Sequence, residues 1–218
     1  MKTFMLLIAL LAGTITSFGQ THFKEAIHYL LPEFTFGTIR MNDGETRRAL
    51  LNYNRLTEEM IFNHRGQNLA INEEYAAKIA YIRIAGRTFY LHEGNFVELI
   101  YSNGIKLYAN YKARINDPGG AAGYGMRSHS GTTTRYLRLT LPTEVYNLDL
   151  PPDLVPVPYT YYWLYKDGQY FEISDISRLR RLYSDRREKF RNYPGLNELD
   201  FNEPAEILRL IKHLEGLE

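Results

Sequence analysis

The chain has 218 residues, 26 Lys plus Arg against 25 Asp plus Glu, a formal net charge of +1 and no cysteine. That balance excludes a whole-molecule pull toward nucleic acid. The missing cysteines exclude a disulfide framework and thiol chemistry, and a hydrophobic content of 44% excludes disorder of the chain as a whole.

The N-terminus reads as a secretory signal over 1–19. Lys2 supplies the positive start, 4–13 ("FMLLIALLAG") is an apolar run too short to cross a bilayer, and Ser17 and Gly19 take the −3 and −1 positions of a cut between Gly19 and Gln20. The competing reading, a buried N-terminal helix, calls for a polar face that this run lacks. Export to the periplasm or outside the cell is therefore expected. Removing 1–19 takes away Lys2 and no acid, which brings the formal charge from +1 to zero. No later segment approaches the roughly 18 apolar residues of a membrane span, so none is expected in the mature chain.

After a lead-in over 20–32, short β segments alternate with turns. The expected strands are 34–41, 46–53, 58–64, 67–71, 78–85, 87–91, 95–102 and 105–115. Asp43-Gly44 and Asn103-Gly104 are strong hairpin signals, because a type I′ turn needs positive φ. "IKLYANYKARI" places Ile105, Leu107, Ala109, Tyr111 and Ala113 on one face. "KIAYIRIA" alternates imperfectly, with Ile79 and Tyr81 set against Ala80 and Arg83. A glycine-rich stretch, 116–134, is expected to be a flexible loop, followed by a strand at 136–142 that pairs with 105–115 or lies in the same sheet. The prolines of 147–158 favour an extended connector, and 159–174 forms a hairpin about Asp167-Gly168.

From Ser174 the apolar period becomes helical, through Ile176, Leu179, Leu182 and Tyr183. Ser174 is the candidate N-cap. A second helix is expected from Asp185, which stands in capping-box spacing with Glu188. A third runs over 203–215, with Asn202 as cap and Gly216 as stop. The expected class is α+β: an antiparallel β-meander over 33–172, curled or partly closed into a barrel, followed by a three-helix C-terminal segment over 173–218 packed on it.

"MNDGETRRALLNYNRLTEEMIF", "GRTFYLHEGNFVELIYSNGIKLY" and "RLRRLYSDRREKF…LDFNEPAEILRLIKHL" together resemble a recurring type of exported bacterial protein with this β-then-helix layout. The resemblance implies export and the layout, and assigns no catalytic residue.

The motifs for chemistry are sparse. Gly119, Gly120, Gly123 and Gly125 lack the Lys-Ser or Lys-Thr and the following helix that a phosphate loop requires. The six histidines show no i,i+4 metal pair and no H-E-x-x-H; His64 and His92, at turn ends, are expected to be solvated. Glu58-Glu59 and Glu73-Glu74, read as strand neighbours, point to opposite faces and cannot share an acid–base site. No cofactor, metal or catalytic residue is expected. Residues 175–191 carry seven Lys or Arg against three acids, a surplus that could meet an anionic lipid or glycan, although Glu198, Asp200, Glu203 and Glu206 follow closely enough to neutralise it.

The candidate binding surface is the aromatic hairpin strand. Tyr159, Tyr161, Trp163 and Tyr165 share one face, with Thr160, Tyr162 and Leu164 on the other. Amphipathic rings of this kind suit sugar faces and interfaces; the competing reading is a strand covered on both sides, with the C-terminal helices on top. The functional expectation is a non-enzymatic cell-envelope binding module whose partner is an envelope glycan or another envelope protein. The alternatives are a barrel holding a small apolar ligand and a hydrolase with dispersed Asp, Glu and His.

Overall fold

The computed structural model describes residues 28–116, 121–122, 126–127 and 155–217. The expected signal, most of the glycine-rich loop and the 136–142 strand lie outside the described residues. Within them the chain forms β1 (Thr35–Met41), β2 (Thr46–Asn54), β3 (Glu59–His64), β4 (Gln67–Ala70), α1 (Glu73–Ala76), β5 (Ile79–Ile84), β6 (Arg87–His92), β7 (Asn95–Asn103) and β8 (Ile105–Asn116). The two-residue strands β9 (Ala121–Ala122) and β10 (Met126–Arg127) pair with each other. Then come β11 (Val155–Lys166), β12 (Gln169–Ile173), α2 (Ile176–Leu182), α3 (Arg187–Arg191) and α4 (Pro204–Glu215).

Ten strands make one antiparallel sheet in the order β12-β11-β8-β7-β6-β5-β1-β2-β3-β4. Strands β1 to β4 run as a meander, and α1 then carries the chain back so that β5 pairs with the free side of β1. Asn72 caps α1 by accepting from the Tyr75 N–H. Glu73 and Glu74 therefore open a helix rather than sit on a strand, and Glu74 pairs with Lys78 one turn on. Among the described residues β8 takes β7 and β11 as its two neighbours.

The sheet is open and strongly curled. The β7–β8 ladder ends at Glu98↔Ala109, while β8 continues against β11 as far as Asn116↔Val155. Into the opened side comes the β2–β3 turn: the Ala113 N–H donates to the Arg55 carbonyl at 2.9 Å, and Lys112 pairs with Glu58 at 2.9 Å. Tyr53 of β2 stacks on Phe89 of β6 with centroids 6.0 Å apart. One close backbone approach marks the bend. A Cβ at Gly37 in β1 would stand 2.7 Å from the Arg83 carbonyl oxygen of β5, so only glycine fits there.

The concave face carries the core. Leu51, Met60, Ile82, Phe89, Leu107, Ala109, Tyr162 and Leu164 are buried there. The register explains an irregularity in β5. The β1–β5 ladder shifts between Arg40 and Met41, so Ile79 and Ile82 are both buried and Tyr81 faces outward, which corrects the expected pairing of Ile79 with Tyr81. At the Asp43-Gly44 turn only Gly44 has positive φ, and the Asp43 carboxylate accepts from the Glu45 N–H, so this is not a type I′ turn; Asp167-Gly168 has both residues at positive φ.

The C-terminal helices close the concave face. Ile207, Leu210, Ile211 and Leu214 of α4 are fully buried, each stabilising the fold by about 2 kcal/mol through apolar area removed from water. The Tyr162 hydroxyl donates to the Phe201 carbonyl at 2.7 Å, tying β11 to the approach to α4. The caps differ from those expected. Asp175, not Ser174, caps α2 by accepting from Ser177 and Arg178, because its carboxylate is the stronger acceptor; Ser174 instead donates to it. Asp185 falls in a short 3₁₀ turn, and neither α3 nor α4 has a side-chain N-cap bond. Gly216 does stop α4 in the left-handed conformation.

Glu215, at the C-terminal end of α4, faces the unfavourable pole of the helix dipole. It is offset by three donors: Lys166 at 2.6 Å, the Tyr183 hydroxyl at 2.6 Å and Arg186 at 3.1 Å. Arg186 also donates to the Leu214 carbonyl, capping the helix. Burial is the largest single influence on the Glu215 carboxyl and opposes its ionisation, but Lys166, Tyr183 and Arg186 together outweigh it and hold the group below the usual carboxylate range. The folded value is thus depressed. The stability it supplies is present above the unfolded carboxylate value and is lost as pH falls through the folded one. Glu215→Gln is expected to lower stability by about 2 kcal/mol at neutral pH, with the difference from the parent shrinking to nothing in strong acid. Denaturant unfolding of both proteins across the acid range checks this.

Candidate functional site

Alternation along β11 sorts its side chains cleanly. Thr160, Tyr162 and Leu164 are buried on the concave side, whereas Tyr159, Tyr161, Trp163 and Tyr165 are half-buried on the outer side. All four candidate residues therefore share the expected face, and the helices pack against the opposite one. The ring contacts of Trp163 and Tyr165 come from His92 and Tyr170 on neighbouring strands, while Tyr159 borders α2.

The rings form a connected cluster. The β6–β7 hairpin end brings His92 edge-on to Trp163, with centroids 4.7 Å apart, and 4.4 Å from Tyr170 of β12. Tyr165 lies 4.8 Å from Tyr170, and Tyr108 of β8 reaches both Tyr170 and Tyr90 of β6 at 6.3 Å. Tyr159 and Tyr161 form a second pair at 5.4 Å. Cations border the cluster: Lys106 lies 5.7 Å above Tyr165 and Lys112 5.0 Å above Tyr161. Tyr170 is 47% exposed, one of the few large hydrophobic side chains left open to solvent. Burial, reinforced by Tyr170, pushes the Tyr108 phenol up to about 12. The surface presents rings and phenol hydroxyls with Lys106 and Lys112 at its border.

His92 is the correction here. Expected as a solvated turn residue, it is half-buried among rings, and its Nε2 is buried with no hydrogen-bond partner. Burial holds its imidazole below the ordinary histidine value, although Glu93 pulls the other way. His64 is exposed. Tyr159 extends the outer face toward the helices, lining a groove of about 540 Å³ with Ser174, Arg180, Leu196 and Asn202.

A buried polar cluster lies elsewhere, on the concave face. Glu98 of β7 accepts from the Tyr111 hydroxyl at 2.6 Å and faces Arg87 at 3.5 Å. Burial raises its carboxyl above the usual range despite both partners. Its place in β7, alternating with Phe96, is the only sequence signal for an acid in the core. Glu58, in the β2–β3 turn at positive φ, pairs with Lys112, and Glu59 opens β3, so the two are not strand neighbours. Among the described residues no three His, Asp or Glu side chains gather as a metal site. Within the glycine-rich stretch, Met126 and Arg127 form β10.

The chain matches no protein-family model, no curated protein and no solved structure.

Trp163 is the sole tryptophan, so its emission reports this site alone. Protonation of His92 against the ring should quench it. Because the His92 value is lowered, the transition is expected below pH 6.5, the ordinary histidine value. Fluorescence followed from pH 8 to pH 4 should show that step in the parent and not in His92→Phe.

Proposed function

We propose that this chain is an exported, non-enzymatic cell-envelope binding module that holds a glycan of the envelope on the outer face around Trp163. The export half of the reading comes from the sequence pattern of residues 1–19. The binding half is carried by one observation. The apolar helix faces all go to the concave side, and a connected field of half-exposed rings is left on the other.

Rings of this kind suit a sugar. The C–H-rich face of a pyranose can lie on Trp163 or Tyr170, while its hydroxyls reach phenol oxygens and the ammonium groups of Lys106 and Lys112. Partly covered rings are held in place before a ligand arrives, so less ordering entropy is lost on binding. A protein partner from the envelope could use the same face, since Tyr and Trp are enriched at interface cores.

A second reading, a small apolar ligand, draws on a different place. Ile39, Ala49, Phe62 and Ile71 line an open groove of about 470 Å³ at the β1–β4 end of the sheet, with Arg47 and Tyr75 at its border. Arg47 is already engaged by Glu45 and the Tyr75 hydroxyl, so a ligand there would be held by its apolar part.

The glycan reading is tested by retention on insoluble peptidoglycan sacculi. Tyr161→Ala combined with Trp163→Ala is expected to weaken retention by about tenfold, the loss of two stacking contacts of about 0.7 kcal/mol each, with the circular dichroism spectrum and folding cooperativity preserved. Equal retention of the two proteins, or no retention of the parent, would count against it.

A further inference from the structure

The surplus of positive charge over 175–191 does not spread around a helix. It collects in one concavity. Arg180 and Arg181 from α2 and Arg187 and Arg191 from α3 line a groove of about 430 Å³, with Ser184 between the helices and the buried Phe190 ring in its lining. The Arg180 guanidinium lies 5.6 Å over that ring, which orients it.

The expected neutralisation by the acidic stretch does not occur. Glu206 goes to Arg209 and to the Asp200 N–H, and the Asp200 carboxylate accepts from the Asn202 N–H. Asp175 is committed to capping α2, feeling Arg181 only at longer range, and Asp185 goes to Arg186. Among the described residues none of the four groove arginines has an ion-pair partner. Four exposed guanidinium groups thus converge with their forks unused, a like-charge arrangement that an anion would relieve.

We infer that this groove is a binding site for a phosphate-bearing small ligand, in the class of a sugar phosphate or diphosphate. A guanidinium presents a planar fork that matches phosphate oxygens bidentately, and the Ser184 hydroxyl adds a donor. A single carboxylate would leave most of the charge unmatched; a diphosphate would not. A lipid surface fits less well. Membrane docking calls for apolar side chains beside the basic ones, and the exposed large hydrophobics, Phe36, Val155 and Tyr170, lie on other elements. The groove is also continuous with the one lined by Tyr159, since Arg180 and Leu196 belong to both. A ligand with a sugar and a phosphate could thus run from the arginines toward the aromatic face, but the phosphate site stands on its own residues.

Calorimetric titration with inorganic pyrophosphate at low salt tests this. The parent is expected to bind, and Arg180→Gln with Arg187→Gln to weaken binding by at least about tenfold through the loss of two charge-assisted forks. Arg181→Lys with Arg191→Lys, which keeps the charge and removes the forks, should weaken it severalfold. Arg209→Gln, on the exposed side of α4, should leave it within about twofold. Far-UV circular dichroism confirms that each variant is folded. No binding of pyrophosphate by the parent, an equal loss in Arg209→Gln, or binding to phosphatidylglycerol vesicles without any to pyrophosphate would overturn the inference.

Discussion

A ten-stranded antiparallel sheet has two faces, and the described residues supply only one layer of helix with which to cover them. Everything else follows from how that shortage is met. The concave face receives the helices: four side chains of α4 are fully buried against it, and Tyr162 is hydrogen-bonded to the approach to that helix. Curling reduces the area that remains. The β2–β3 turn folds in beside β8 through the Ala113–Arg55 hydrogen bond and the Lys112–Glu58 pair, where the β7–β8 ladder has already ended. Among the described residues none of the apolar helix stripes goes to the convex face. Rings line it: Tyr108 is buried between Tyr90 and Tyr170, and Tyr170 itself is left exposed.

That division gives the two functional features their positions. Rings are the side chains best able to cover a sheet face without another layer, because each combines a large apolar area with a polar edge that tolerates water. The same property makes the face suited to sugars. The helices, with their apolar sides committed to the concave core, turn their basic sides outward, and the short α2 and α3 set four arginines around one hollow. Tyr159 stands at the junction, paired with Tyr161 on one side and lining the groove shared with Arg180 on the other.

Much of this was legible from residue order. Period-two alternation in β8 and β11 sorted the residues of each strand between two faces, and the separation of Tyr159, Tyr161, Trp163 and Tyr165 from Tyr162 and Leu164 is a direct consequence of the pleat, although which face the helices cover was left open. The glycine stop of α4 was equally plain. What escaped depends on partners distant in sequence or on competition between neighbours. The phase of β5 is broken by a register shift against β1, which its own residues do not encode. Asp175 displaces Ser174 as a cap because two suitable acceptors stand side by side. His92 looked solvated because nothing near it in sequence reveals that the hairpin end reaches Trp163, 71 positions away. The charge of 175–191 was visible, but its concentration in one groove depends on the angle between two short helices, and Asp175, Asp185, Asp200 and Glu206 are engaged by other partners.

The central claim is that β11 separates a helix-covered face from an open aromatic one. Hydroxyl-radical footprinting read by mass spectrometry measures this residue by residue. The account predicts labelling of Tyr161, Trp163, Tyr165 and Tyr170 in the native protein, with Tyr162 and Leu164 protected until it unfolds. Protection of Trp163 and Tyr165 together with labelling of Tyr162 would place the helices on the other face and contradict it.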